Sequence, residues 1–190
     1  MDRVIIRALR DVGACNVCAD HLEPRPFVQL SAKSRILIAG QAPGRKVHEG
    51  GRLFADASGD RLREWLGVDE ATFYDPDYMS ILPMGFCYPG KGRSGDLPPR
   101  PECAPTWRQQ LMSLVPKVGL TVILGKHALA WHLQDARPLS KVVREWEGRL
   151  PGSIVLPHPS PRNNPWLAKN PWFERDVVPR LKARVAELIA

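Results

Sequence analysis

The chain has 190 residues, enough to bury one proper core, and is 44% hydrophobic and 25% charged, an ordinary balance for a globular protein. Its longest apolar runs, such as "LTVILG", are strand-sized and too short to cross a bilayer, and "MDRVIIRALR" at the start lacks the apolar segment and small-residue cleavage site of a secretory signal. Twenty-seven basic residues against 20 acidic ones leave a net charge of +7, which makes an anionic partner plausible, nucleic acid first. With no linker or internal repeat, the expectation is one domain over residues 1–190 with a cysteine-bearing N-terminal segment. The expected location is cytoplasmic, where four cysteines are not read as disulfides.

In chain order, "RILIAG" (35–40) is a short β-branched run closed by glycine, followed by the loop "QAPGRKVHEGGRLFADAS". A helix is expected from about Ser58, with Leu62, Trp65 and Leu66 on one face and Gly67 as its stop. "YMSILPM" (78–84) is a second strand, interrupted by Pro83. It leads into a Pro/Gly/basic loop and then a helix over 105–115. "LTVILG" (120–125) is the clearest buried strand, "KHALAWHL" the helix after it, and "SIVLP" a fourth strand. Asn170 before Pro171 signals the start of a C-terminal helix kinked at Pro179. Strands alternating with helices predict α/β architecture: a central four-stranded parallel sheet with helices on both sides, in three layers. Ligands of such sheets sit outside the carboxyl ends of the strands, so the loops after Gly40, Met84 and Leu156 are expected to converge.

Cys15 and Cys18 form a C-x-x-C pair, while Cys87 and Cys103 are separated by fifteen residues of turn-rich loop. Four thiolates so arranged suit Zn²⁺ or an iron–sulfur cluster, and spacing alone does not choose between them. Four unrelated cysteines packed as small hydrophobes are the plain alternative.

"VLPHPSPRN" (155–163) holds a histidine between two prolines at the end of the fourth strand. Proline fixes its own φ and restricts the residue before it, so His158 has little backbone freedom, which suits a side chain that must point at a ligand. A stiff strand-capping turn is the bland reading. In "GQAPG", backbone N–H groups leaving the first strand are placed to bind an anion or a carbonyl. Phe54, just after a glycine pair, could stack on a planar ligand, and Asp56 could orient a water. Taken singly, these residues also read as ordinary core and as a helix cap.

"GQAPG…GGRLFADASG", "HPSPRN" and the cysteine pattern together resemble the uracil-DNA glycosylase superfamily, from Cys15 to the C-terminal helix. Its bacterial and archaeal iron–sulfur branch has a similar Gly-x-Ala-Pro-Gly, a phenylalanine ten residues after the second glycine, as Phe54 stands to Gly44, and the same two cysteine pairs. The resemblance implies a [4Fe-4S] cluster on Cys15, Cys18, Cys87 and Cys103, with zinc as the weaker alternative. It implies a monomer that removes uracil from DNA with water as nucleophile, leaving an abasic site.

Asp56 and His158 are then the catalytic pair, with Gly40, Gln41, Ala42, Phe54, Ser160, Arg162 and Asn163 at the substrate. Basic residues Lys91, Arg93 and Arg100 would meet the DNA backbone. The chain departs from the family in having Gln41 and Ala42 where acids are common. It also lacks the asparagine that often reads the base from the second strand, so Ser80 or backbone groups would substitute. A second iron–sulfur branch resembles "FADASGD" in its aspartate after the phenylalanine, and "HPSPRN" looks closest to the single-strand-selective branch. A non-catalytic DNA-binding module of the same fold, or a glycosylase for another deaminated base, are the rival readings.

Overall fold

The computed structural model describes residues 2–190. Asp2 opens α1 (Arg3–Gly13) by accepting from Val4 N, and Ile5, Ala8 and Val12 form the buried stripe of that helix. There follow β1 (Ile36–Ala39), α2 (Arg45–Gly50), α3 (Ala57–Leu66), α4 (Glu70–Tyr74) and β2 (Met79–Ile81). The long loop after β2 carries a small hairpin of β3 (Lys91–Gly92) and β4 (Gly95–Asp96). Then come α5 (Cys103–Ser113), β5 (Leu120–Leu124), α6 (Gly125–Leu133), α7 (Leu139–Arg144), β6 (Ser153–Leu156), α8 (Asn164–Lys169) and α9 (Val178–Ile189).

β2, β1, β5 and β6 pair in that order, all parallel, as one four-stranded sheet. β1 is buried on both faces, which is why it reads as an unbroken apolar run. Ile36 and Ile38 join a core with Leu62 and Trp65 of α3 and Leu181 and Val185 of α9. Leu37 faces the other way, into a core with Ile5 and Val12 of α1 and Leu111 of α5. The result is the three-layer α/β/α arrangement. Among the described residues, no helix is long and apolar enough to cross a membrane.

Two local expectations change. The helix expected from Ser58 starts one residue earlier, because Asp56 rather than Ser58 caps it. The C-terminal helix is not one kinked rod from Asn170. Asn170 closes α8, its side chain donating to Trp166 O at 2.8 Å, and a π-helical turn over Phe173–Val177 precedes α9. Pro179 has no N–H to give and its ring crowds the carbonyl four residues back, so the turn before it widens instead.

Candidate active site

The loops at the strand ends do converge. Met84 N donates to Gly40 O at 2.9 Å and Gly85 N to Gln41 O at 2.8 Å, zipping the exit of β2 onto the exit of β1. From α3, Arg61 donates to the carbonyls of Pro159 and Ser160, at 3.2 and 3.4 Å, and so fastens the loop after β6. Between the three loops lies a cavity of about 430 Å³. Gly40, Gln41, Ala42, Phe54, Asp56, His158, Ser160, Arg162 and Asn163 all line it.

Asp56 stands at the N-terminus of α3, where unpaired backbone N–H groups favour a carboxylate. One of its oxygens, Oδ1, accepts from Ser58 N (3.1 Å) and Gly59 N (3.2 Å). Oδ2 receives only a long contact from Ser58 Oγ at 3.4 Å. The cap therefore aims the carboxylate while occupying chiefly one oxygen. Phe54 reaches the cavity through a left-handed backbone, φ 55°, a conformation that strains a bulky residue. The tight turn is possible because residue 59 is glycine: a Cβ there would overlap the Phe54 carbonyl. That carbonyl also accepts from Arg63 Nη1 at 3.3 Å. The phenyl ring lies against Gly40 and meets Phe73 edge-on, centroids 5.9 Å apart.

His158 sits between two buried prolines. Its Nδ1 accepts from Ser160 N at 3.2 Å, which leaves the proton of a neutral ring on Nε2. Asn163 Nδ2 donates to His158 O at 2.7 Å and pins the same turn. Burial pushes the imidazole pKa below its ordinary value, against the opposing pull of the Asp56 charge. The ring is thus a neutral donor with a fixed tautomer. A donor and a carboxylate face one cavity floored by an aromatic ring, an arrangement suited to binding a flat polar heterocycle and placing a water beside it.

Ser80 lies elsewhere. It is fully buried in the middle of β2, its Oγ 2.6 Å from Ser34 Oγ, and it does not line the cavity. Side chains alternate along a strand, and this one points into a layer beneath Ser31 and Ser34. Arg100 is also turned away from the cavity, paired with Glu102 at 2.5 Å. Two lining residues, Asp96 and Leu97, escape a sequence reading because they come from the hairpin, whose only trace is the turn-forming "GRSGD".

The cysteines meet on the other side of the β2 exit. All four line a second, smaller cavity, together with Arg100 and Trp107. Two of the sulfurs have a donor beside them: Trp107 Nε1 lies 3.3 Å from Cys15 Sγ and Phe86 N 3.3 Å from Cys103 Sγ. Burial pushes the Cys18 and Cys87 thiols up, and Cys103 to about 12. N–H donors at sulfur favour the thiolate, against the burial that opposes it. Among the described residues, no group of three or more His, Cys, Asp or Glu side chains is arranged to hold a single metal ion. From α5, fully buried Arg108 donates to the carbonyls of Leu82 (2.6 Å) and Pro83 (3.0 Å), tying the cysteine-bearing helix to a cavity-lining residue.

Comparison with known proteins bears on the family and the fold. The family model described as the uracil DNA glycosylase superfamily matches residues 27–182. A type-4 uracil-DNA glycosylase of Sulfurisphaera tokodaii is 28% identical over 96 residues, spanning 50% of this chain and 42% of that protein. A solution NMR structure of a candidate uracil DNA glycosylase from Methanosarcina acetivorans superposes with a TM-score of 0.51 at 16% identity, covering 86% of this chain and 96% of that one.

Proposed function

The chain belongs to the uracil-DNA glycosylase superfamily, and on that premise we propose that it is a monofunctional glycosylase that hydrolyses the N-glycosidic bond of uracil in DNA. The observation that carries the reading is the pairing, in one cavity, of a capped carboxylate with a neutral Nε2–H donor. The bond breaks with charge separation: the sugar becomes cation-like and the departing base carries an anion over its carbonyl oxygens. His158 Nε2–H donates to that oxygen, and because Pro157, Pro159 and Ser160 N hold the ring, it need not reorganise as charge develops. Asp56 Oδ2 holds the attacking water and takes its proton as the water oxygen bonds to the sugar carbon and the carbon–nitrogen bond to the base breaks; until that transfer its negative charge favours the cationic sugar.

Phe54 stacks on the base, and the backbone of Gln41 and Ala42 contacts its carbonyl. The target base must first turn out of the helix. Arg162, Lys91 and Arg93 are exposed and suit the phosphates, with Ser160 and Asn163 shaping the turn behind the histidine. This division of labour fits an enzyme of base-excision repair. The missing acids at Gln41 and Ala42 are accommodated by Asp56, as in the iron–sulfur branch whose motif it resembles.

Cys15, Cys18, Cys87 and Cys103 are assigned to a [4Fe-4S] cluster, on the strength of four thiols sharing one cavity, with N–H donors at Cys15 and Cys103. Such a group, when bound, supplies cross-links between the N-terminal turn, the loop after β2 and α5. Iron and sulfide analysis of the purified protein tests it, with zinc as the competing result.

The activity is tested by alkaline strand scission at a single uracil, in single- and double-stranded oligonucleotides. Scission at the uracil alone supports the reading. Tight binding without scission sinks it in favour of a binding module, and scission only at hypoxanthine moves the substrate to another deaminated base.

A further inference from the structure

Arg61 of α3 reaches across to the histidine loop, and the proposed chemistry gives it no part. It is partly buried and takes no carboxylate from its own helix, where the neighbouring Asp60 pairs with Arg63. Its Nη1 donates instead to Pro159 O at 3.2 Å and to Ser160 O at 3.4 Å.

Pro159 O belongs to the peptide unit that also carries the N–H of Ser160. That unit is planar and trans, so its C=O and N–H point in opposite directions. With Arg61 at the oxygen, the hydrogen at the other end is aimed at His158 Nδ1, 3.2 Å from Ser160 N. A cation on the carbonyl also polarises the N–H into a stronger donor. The neighbours cannot substitute. Residues 157, 159 and 161 are prolines without an N–H, and Arg162 N is turned to Ser160 Oγ at 3.4 Å. Ser160 O is shared between Arg61 and Asn163 N, 2.9 Å away, so the next peptide of the turn is anchored as well.

We propose that Arg61 is a positioning residue: through the Pro159–Ser160 peptide it fixes the tautomer of His158, keeping the imidazole proton on Nε2. Asp56 caps the helix that bears Arg61, so the same contact ties the carboxylate's element to the histidine's. Without it the peptide is free to turn and Nδ1 loses its donor. The two neutral tautomers then compete, and one of them presents an acceptor where the departing base needs a donor. The consequence for rate rests on the glycosylase reading; the tautomer itself does not.

Nitrogen-15 NMR of protein labelled at its histidines reads which ring nitrogen carries the proton, at pH 8, where imidazole is neutral. The His158 signals, among those of five histidines, are assigned by their loss in His158→Gln. Wild type should show a protonated Nε2 and a bare Nδ1. Arg61→Met keeps the apolar stem and drops the guanidinium. It should show both tautomers, with kcat for uracil excision lowered about tenfold or more and KM within about twofold. Arg61→Lys, whose ammonium can reach the same carbonyls, should restore the Nε2 proton and most of the rate. A proton on Nδ1 in wild type overturns the proposal before any variant is made. An unchanged tautomer in folded Arg61→Met overturns it too, whatever the rate. Wild-type protein that excises no uracil sinks the glycosylase reading, while the tautomer comparison still decides what Arg61 does.

Discussion

The two cavities flank the exit of β2 and are built on opposite plans. In the larger one the atoms proposed for chemistry are aimed by the protein's own hydrogen bonds: Asp56 by two backbone amides of α3, His158 by Ser160 N. In the smaller one the sulfurs come from three separate segments, and the donors around them are directed at sulfur itself. The first plan preorganises chemistry by backbone geometry. The second gathers four thiols, which the proposed cluster would join to one another. Loss of a side chain should therefore cost rate in one cavity and integrity in the other.

Asp56→Asn is the sharpest way to break that contrast. Asparagine caps a helix about as well as aspartate, so α3 should stand and Tm should hardly move. The charge that favours the cationic sugar is gone, and excision should fall by about 10²–10⁴. A large drop in Tm with unchanged excision would reduce Asp56 to a cap. His158→Ala removes one preorganised donor and should cost about 10²–10³ in rate. Circular dichroism of both variants should match wild type.

Cys103→Ser should behave the other way. Metal content should fall and Tm should drop by more than about 5 °C, while the folded fraction excises within about threefold of wild type. If instead the rate collapses at unchanged Tm, the smaller cavity takes part in chemistry. A milder distinction lies in pH. Because burial lowers the His158 pKa, the neutral donor persists where free imidazole already protonates. The rate kcat/KM should thus be nearly unchanged from pH 8 down to about 6.5, where a free imidazole is already half protonated, and should halve only below that. A rate already halved at about pH 6.5 or above would place the ring in an ordinary aqueous setting.

The larger cavity was legible in the sequence where rigidity leaves a compositional mark. Two prolines around a histidine, a glycine-rich strand exit and an acid just before a helix each have local causes, and the strand-end rule brings them together. The cysteines were legible as a set by their number and spacing, and the structure gathers all four. The hairpin was not, since β3 and β4 are two residues each and carry no apolar alternation. Nor was the π-helical turn before α9, which arises from one proline acting on the carbonyl four residues back.

Ser80 shows a different limit. Its strand was found, and a polar residue in an apolar strand invites a functional role. Which face it takes depends on register: Leu37 of β1, its neighbour in the sheet, also points to the α1 and α5 side. Ser80 is therefore spent on Ser34 and Ser31, holding the segment before β1 onto β2. Ser80→Ala should cost about 1 kcal/mol through that lost bond, a fall in Tm of roughly 2–4 °C, and leave kcat and KM for uracil excision unchanged. A raised KM at intact stability would mean that β2 reaches the base after all, through a rearrangement that turns this serine from the buried layer to the cavity.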